Sequence, residues 1–324
     1  AVLAQDHPNF DVIVVDNASS DGTADFVRHE FPQARLIESP INGGYGAGNN
    51  VGAAAAAGEV LAFLNPDAVP EPDWLTHLAG AMQRQSQQFA TSMIVLQSDP
   101  ARLNSGGNLI HYLGLSYCRG LNALRATHHR QEFVSGASGA ACAISRTLFE
   151  RIGGFDESFF LYHDDVDLSL RALLAGARCL YVPDAVVAHD YDLSVPPMKW
   201  GWIEAHRYAI LLKVFRLRTL LVLLPALVAM DLITLTYLAT RGSPFVVAKL
   251  RSYAWVLRHA SSVRAGRSRA QRTRAVSDRE MLATLADQIP FEQLTAPLLA
   301  AVARLLVDPI FRLYRRLSLS IIAW

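Results

Sequence analysis

Cysteine is scarce in this chain, with three in 324 residues at Cys118, Cys142 and Cys179. An odd number at such wide intervals excludes a disulfide framework and a thiolate metal cluster, and it fits a reducing compartment. No secretory signal opens the sequence. Residues 1–27 hold no lysine or arginine, so an early basic loop for gripping phosphates, as a nucleotidyltransferase needs, is missing. The glycine-rich stretch NGGYGAGNNVG, Asn42–Gly52, fits G-x-G-x-x-G in no register. It also follows the second strand rather than the first, which argues against a dinucleotide-binding Rossmann domain. Beyond the alanine run Ala53–Ala57 there is no low-complexity tract, and no internal repeat.

What is present is apolar and divided in charge. Hydrophobic residues make up 51% of the chain, enough that some apolar surface is expected to meet something other than water. Residues 1–197 carry 11 Lys+Arg against 22 Asp+Glu, whereas residues 198–324 carry 19 against 7. Two regions with different partners are implied, 1–197 and 198–324.

The first region alternates in type. Asp11–Asp16 (DVIVVD), Ala34–Glu38 and Val60–Leu64 are short runs rich in β-branched or apolar residues and read as buried parallel strands. Between them, Asp21–Phe31, with Ser20 or Asp21 as cap, and Gly48–Ala57 read as helices. The expected outcome is an open, mostly parallel α/β sheet, with polar residues at the carboxyl ends of strands where ligands bind. Asp16-Asn17 and Asn65-Pro66-Asp67 occupy such ends.

One segment, Gly153–Arg171 (GGFDESFFLYHDDVDLSLR), crowds Asp156, Glu157, Asp164, Asp165 and Asp167 among Phe155, Phe159, Phe160 and Tyr162. Carboxylates set among aromatics have tunable proton affinity, so the segment reads as a site. Asp167 and Arg171 lie four apart on the helix expected here and should pair.

Taken together, VVDNASSDGT (Val14–Thr23), Asn42–Gly52, LNPDA (Leu64–Ala68), SGASGAACAISR (Ser135–Arg146), Gly153–Arg171 and His189 resemble family 2 glycosyltransferases of the GT-A fold, the bacterial rhamnosyltransferase-like group above all. The likeness covers about residues 1–195. It implies a transferase that moves a sugar with inversion from a nucleotide diphosphate donor, with dTDP-rhamnose favoured, to a glycan or polyprenyl-linked acceptor. The resemblance assigns the base contact to Asp16, with Asp21 as a weaker candidate, and the donor side further includes Asn17, Asn42, Gly43, Asn49, Asn65 and Asp67.

The same resemblance makes Asp67 and His189 ligands of Mg²⁺ or Mn²⁺, although Asn65 stands where the family's metal motif has its first acid. Asp165 is implied as catalytic base and Asp164 as its neighbour, which departs from the family's glutamate. Gly136, Ser138, Gly139, Phe160 and Tyr162, with Phe159, are expected around the acceptor. A nucleotidyltransferase and a decayed, membrane-attached glycan-binding protein are the rival readings. In the family a further strand with nucleotide contacts would precede Ala1. Residues 1–324 alone are therefore expected to be unstable or inactive until that segment is restored.

Beyond Pro196-Pro197 the composition turns to Arg, Leu and Ala. Thr219–Thr240 would make a helix about 33 Å long, enough to span a bilayer. Pro225, Asp231 and the cluster Arg264, Arg267, Arg269, Arg272 and Arg274 oppose a simple span. Leu298–Leu317, with arginines at helical spacing and an expected kink at Pro309, reads as an in-plane interfacial helix on an anionic membrane at its cytoplasmic face. Nucleic acid is not an expected partner, because no aromatic stacking platform accompanies the arginines.

Overall fold

The fold is described from a computed structural model, for residues 1–84, 87–190 and 194–324. The chain forms two units, one of Ala1–Asn108, Cys118–Ala172 and Ala177–Asp192, the other of Leu109–Tyr117, Leu173–Gly176 and Leu193–Trp324. The second unit thus draws two short segments from within the stretch that otherwise forms the first.

In the first unit and the segments it lends, the elements run β1 (Ile13–Asp16), α1 (Thr23–Glu30), β2 (Arg35–Glu38), α2 (Gly44–Ala55), β3 (Val60–Leu64), β4 (Ala68–Pro70), α3 (Trp74–Arg84) and β5 (Phe89–Leu96). They continue with β6 (Asp99–Ser105), β7 (Asn108–Ile110), β8 (Ser116–Cys118), β9 (Glu132–Val134), β10 (Ala141–Ser145), α4 (Arg146–Ile152), α5 (Asp164–Leu174) and β11 (Cys179–His189). The three expected strands form. β1 and β2 are a parallel pair, but β3 pairs antiparallel with β10. The main sheet has the order β3-β10-β5-β11-β4, with β6 on β5 and β9 on β11. Only β5 and β11 run parallel within it. The sheet is therefore mixed rather than mostly parallel, since β10 runs antiparallel to both β3 and β5, which it meets across long stretches of intervening chain.

The core lies where α3 covers this sheet. Trp74, Leu78, Ala81 and Met82 pack on Ala90, Ile94, Leu180, Val182 and Val187. Each large side chain so buried contributes about 1.5–3 kcal/mol. The indole N–H of Trp74 donates to Ser92 Oγ at 2.8 Å, which satisfies the one polar atom of that side chain. β11 changes register against β5 between Val182 and Val186. Pro183 falls in that interval and cannot donate to a ladder, so a bulge is the expected response.

The helical unit comprises α6 (Pro197–Val214), α7 (Leu217–Arg241), α8 (Ser243–Arg258), α9 (Ala260–Arg272), α10 (Asp278–Thr284), α11 (Pro297–Leu306) and α12 (Asp308–Ile321). α7 is long and apolar enough to cross a membrane by length and composition, yet its stripes are unlike one another. Leu217, Leu221, Leu224, Val228 and Leu232 are exposed, while Thr219, Leu223, Ala226, Met230 and Thr234 are buried. Asp231 is bound on the inner side: Oδ1 accepts from Arg207 at 2.6 Å, Tyr208 at 2.7 Å and Lys249 at 3.1 Å. Glu204 completes this cluster by pairing with both Arg207 and Lys249.

Leu298–Leu317 is not one kinked helix. The chain breaks at Val307, and Pro309 sits in the first turn of α12, where a missing N–H costs nothing. Two arginines of the basic cluster are also spent internally. Arg267 donates to the carbonyls of Leu212 and Phe215, and Arg274 to that of Val214, so they cap the last turn of α6. Arg264, Arg269 and Arg272 remain exposed.

Candidate active site

β1 delivers Asp16 at its carboxyl end. Its Oδ2 accepts the Ser19 N–H at 3.2 Å, while Oδ1 is buried without a hydrogen-bond partner. A buried carboxylate oxygen left open is a place for a donor from outside the chain. Ala18, between the two, has φ 61, a left-handed conformation that costs a non-glycine residue about 1–2 kcal/mol. Asp21 has a local role: its Oδ1 accepts from the Thr23 N–H at 3.1 Å and hydroxyl at 2.6 Å, and the hydroxyl contact holds its pKa below the usual carboxylate value. The cap of α1 is Gly22 rather than Ser20 or Asp21.

Asn17 reaches from β1 to the start of α2. Its Oδ1 accepts the Gly43 N–H at 3.1 Å and its Nδ2 donates to the Gly44 carbonyl at 3.0 Å. Asn42 Oδ1 accepts the Gly44 N–H at 3.0 Å. Asn49 Nδ2 donates to the Tyr45 carbonyl within the helix, at 2.9 Å. The amides of Asn17, Asn42 and Asn49 thus shape the loop and helix start. α2 begins four residues before the expected Gly48, because Gly44 takes φ +84 and lets Tyr45 N–H reach the Phe160 carbonyl at 3.0 Å.

The Asn65-Pro66-Asp67 turn closes with Ala68 N–H on the Asn65 carbonyl at 3.1 Å and is tethered by Asn65 N–H on the Ala140 carbonyl at 2.9 Å. β4 then runs antiparallel to β11 with Ala68 opposite His189. That register places Asp67 beside the imidazole: His189 Nε2 lies 3.2 Å from Asp67 Oδ1, and Nδ1 lies 3.1 Å from Asn104 Oδ1. The Asn104 amide on Nδ1 and the Asp67 carboxylate beside Nε2 fix the orientation of the ring and set one nitrogen next to a carboxylate oxygen. An imidazole nitrogen and a carboxylate oxygen fit a divalent cation that takes mixed N and O ligands. Among the described residues no group of three His, Cys, Asp or Glu gathers around such a point, so the remaining ligands would be diphosphate oxygens or water.

Asp164 and Asp165 open α5, after Tyr162 and His163 with φ of 68 and 64. Two consecutive left-handed residues are a costly way to start a helix, of the kind found at functional sites. Asp165 Oδ2 accepts the Gly139 N–H at 2.9 Å and Asn108 Nδ2 at 2.9 Å, and Oδ1 accepts the Val166 N–H at 2.8 Å. Burial raises its pKa against the opposing pull of those three donors. Asp164 is 3% exposed, with Oδ1 unpartnered. Burial first, and the Asp165 charge second, push its pKa up to about 8.

The remaining acids of the segment are accounted for. Asp156 Oδ1 accepts the Ser158 N–H and hydroxyl, Glu157 accepts Asn50 Nδ2 at 2.9 Å, and Asp167 pairs with Arg171 at 2.6 Å in full burial. Phe155 and Phe159 are core residues. Phe155 packs against Tyr45, Phe63 and Phe149, and Phe159 is 0% exposed, so Phe159 walls no pocket. Phe160 is 39% exposed and Tyr162 partly so.

Gly136, Ser138 and Gly139 form the connecting strip. The Gly136 carbonyl accepts Asn108 N–H at 2.8 Å, Ser138 N–H donates to Thr91 Oγ1 at 3.1 Å, and the Gly139 carbonyl accepts Tyr45 Oη at 2.7 Å. Gly139 thus serves Asp165 while its neighbour Ala140 holds the Asp67 turn. Three asparagines that sequence reasoning missed, Asn50, Asn104 and Asn108, make the long-range bonds that hold the acidic loop, His189 and Asp165. Their only sequence signal was an amide side chain among glycines or at a helix face, which also marks turns.

Residues 1–153 match the family model described as Glycosyl transferase family 2. The N-acetylglucosaminyl-diphospho-decaprenol L-rhamnosyltransferase of Mycobacterium tuberculosis (strain ATCC 25618 / H37Rv) is 31% identical over 232 residues, 63% of this chain and 74% of that protein. Rhamnosyltransferase WbbL of Escherichia coli (strain K12) is 27% identical over 197 residues, 56% of this chain and 73% of that protein. Among solved structures, Staphylococcus aureus TarS 1-349 aligns with a TM-score of 0.47 and 14% identity, over 97% of this chain and 84% of that chain.

Proposed function

The chain belongs to glycosyltransferase family 2, and from that premise we propose that it transfers a sugar, with inversion, from a nucleotide diphosphate donor to a hydroxyl of a lipid-linked cell-envelope glycan. The observation that carries this reading is the shared anchorage of the two chemical groups. Gly139 N–H binds the candidate base Asp165, and the Ala140 carbonyl holds the turn that presents Asp67 to His189. The M. tuberculosis relative is named for L-rhamnose transfer to N-acetylglucosaminyl-diphospho-decaprenol, which makes dTDP-rhamnose and that lipid the first pair to test.

Asp16 Oδ1 accepts from the donor base. Asp67 and His189 would hold Mg²⁺ or Mn²⁺ at the diphosphate end, and such a cation would neutralise charge on the leaving group. Asp165 accepts the proton of the acceptor hydroxyl as that oxygen attacks the anomeric carbon. The bond to the diphosphate breaks on the opposite face. A single displacement inverts the centre, and a well-placed base contributes about 10²- to 10⁴-fold. Gly136, Ser138, Phe160 and Tyr162 border the acceptor.

The helical unit holds the enzyme on an anionic membrane surface at its cytoplasmic face. Leu217, Leu221, Leu224, Val228 and Leu232 of α7, and Ile310, Leu313, Leu317 and Ile321 of α12, are exposed. Tyr314 Oη donates to the Val222 carbonyl at 2.6 Å, which ties the two helices together. The four charges of the cluster, Asp231, Glu204, Arg207 and Lys249, oppose a transmembrane α7, because a span would carry α6 and α8 with it into hydrocarbon. In-plane insertion leaves them on the protein side.

The test is transfer by the full chain from a panel of labelled nucleotide sugars, with Mn²⁺ or Mg²⁺ and vesicles carrying N-acetylglucosaminyl-diphospho-decaprenol. Asp165→Asn and Asp67→Ala should each lose at least about 100-fold. Product NMR should show the inverted anomer. Wild-type transfer by Asp165→Asn overturns the base assignment, and a retained anomer overturns single displacement.

A further inference from the structure

Asn108 opens β7, is 7% exposed, and follows the Gly106-Gly107 step that joins it to β6. Its Nδ2 donates to the Ala137 carbonyl at 2.6 Å and to Asp165 Oδ2 at 2.9 Å. A carbonyl and an ionised carboxylate both only accept, so the chemistry of the partners fixes which way the amide faces. The mount is rigid. Asn108 N–H donates to the Gly136 carbonyl at 2.8 Å, and Gly107 takes φ +94 with no room for a Cβ, which would lie 2.9 Å from the same carbonyl oxygen.

We propose that Asn108 is a positioning residue for glycosyl transfer, saturating Oδ2 of Asp165 together with the Gly139 N–H so that Oδ1 faces the acceptor hydroxyl and the carboxylate stays ionised. The inference rests on Asp165 being the base. Each carboxylate oxygen has two lone-pair directions. On Oδ2 both are taken, and on Oδ1 the Val166 N–H takes one, which leaves one for the incoming proton. Loss of the amide frees the carboxyl to rotate and removes a donor that favours its charged form. The titratable groups facing Asp165 are Asp164 on its own helix, Tyr45 on α2 and Cys142 on β10. Burial pushes the Tyr45 and Cys142 pKa values up, so both are neutral where Asp165 titrates. Asp164 is the neighbour to remove by substitution.

The decisive experiment needs no substrate. The full chain is labelled with [¹³Cγ]aspartate in an Asp164→Asn background, and the Asp165 signal, assigned by its loss in Asp165→Asn, is titrated by NMR. In Asn108→Ala and in the near-isosteric, uncharged Asn108→Leu its midpoint should rise by about 1 pH unit or more. With dTDP-rhamnose and N-acetylglucosaminyl-diphospho-decaprenol, kcat should fall about 10- to 100-fold with the donor KM nearly unchanged. The acidic limb of the kcat profile should move up by the same amount as the midpoint. Thermal unfolding shows which variants are folded, and either one suffices. An unmoved midpoint in a folded variant overturns the positioning role while Asp165→Asn remains inactive. Full activity of Asp165→Asn overturns the base assignment, and this proposal with it.

Discussion

A Cβ on Gly44 would lie 2.0 Å from the carbonyl oxygen of Phe160, the oxygen that accepts the Tyr45 N–H at 3.0 Å. The start of α2 and the loop before Asp164 are therefore in backbone contact, with no space for any other residue at position 44.

Gly44→Ala should be destabilised by about 3 kcal/mol or more, since backbone cannot yield as a side-chain tip does. Gly22, with φ +85 and nothing within 4 Å of its Cβ, is the matched control. Gly22→Ala should cost only the conformational term of about 1–2 kcal/mol. Chemical denaturation of the two variants checks the difference, and equal losses would contradict it.

Asp164 makes stability depend on pH. Its folded pKa of about 8 lies above the ordinary 3.8, so the folded state binds the proton more tightly. Its contribution falls as pH rises from about 4 to about 8 and is level beyond. Asp164→Asn should remove that slope, so the variant gains stability relative to the parent as pH rises through this window. Thermal melts at pH 5 and pH 8 measure it. A difference that is constant or of opposite sign would contradict the assignment.

The Asp167–Arg171 pair is wholly buried, with Arg171 also donating to the Ile152 carbonyl at 2.8 Å. Arg171→Met should cost about 3–5 kcal/mol by leaving a buried carboxylate unpaired. Asp167→Leu combined with Arg171→Met should recover most of that loss in urea unfolding, because a buried pair is worth much less than the penalty for breaking it.

Leu221→Asp with Leu224→Asp changes only the outward stripe of α7. Helix content should be unchanged by circular dichroism, and co-sedimentation with anionic vesicles should fall at least about tenfold. Wild-type sedimentation of the double variant would place the membrane contact elsewhere.

Local pattern made β1, β2 and β3 legible, since β-branched runs bounded by polar residues leave few alternatives. Pairing direction was not legible, because β3 meets β10 some 80 residues later and nothing local encodes that. The Asp167–Arg171 pair was readable from helical spacing alone. Asp67 beside His189 was accessible only through motif order, as the two are separated by 122 residues. Asn104 and Asn108 escaped notice because LNSGGN reads as a turn, whereas tertiary partners 85 and 57 residues away decide what those amides do. The early start of α2 was hidden for a related reason, a glycine-rich stretch made helical by docking against propensity.

The bulge at Pro183 has a consequence for which face of the sheet His189 occupies. Between the pairs Val182–Ser92 and Val186–Met93, β11 advances four residues while β5 advances one. Side chains alternate faces along a strand, so this surplus sets the phase of everything downstream. Deleting one residue of Pro183–Ala185, with the upstream pairing and the length of the bulge kept, would shift the downstream pairings by one and bring Asp190 opposite Ala68 in place of His189. An imidazole–carboxylate pair would become two carboxylates, and Asn104 would lose its ring nitrogen. The spacing of an irregularity in one strand thus determines which chemical group meets Asp67.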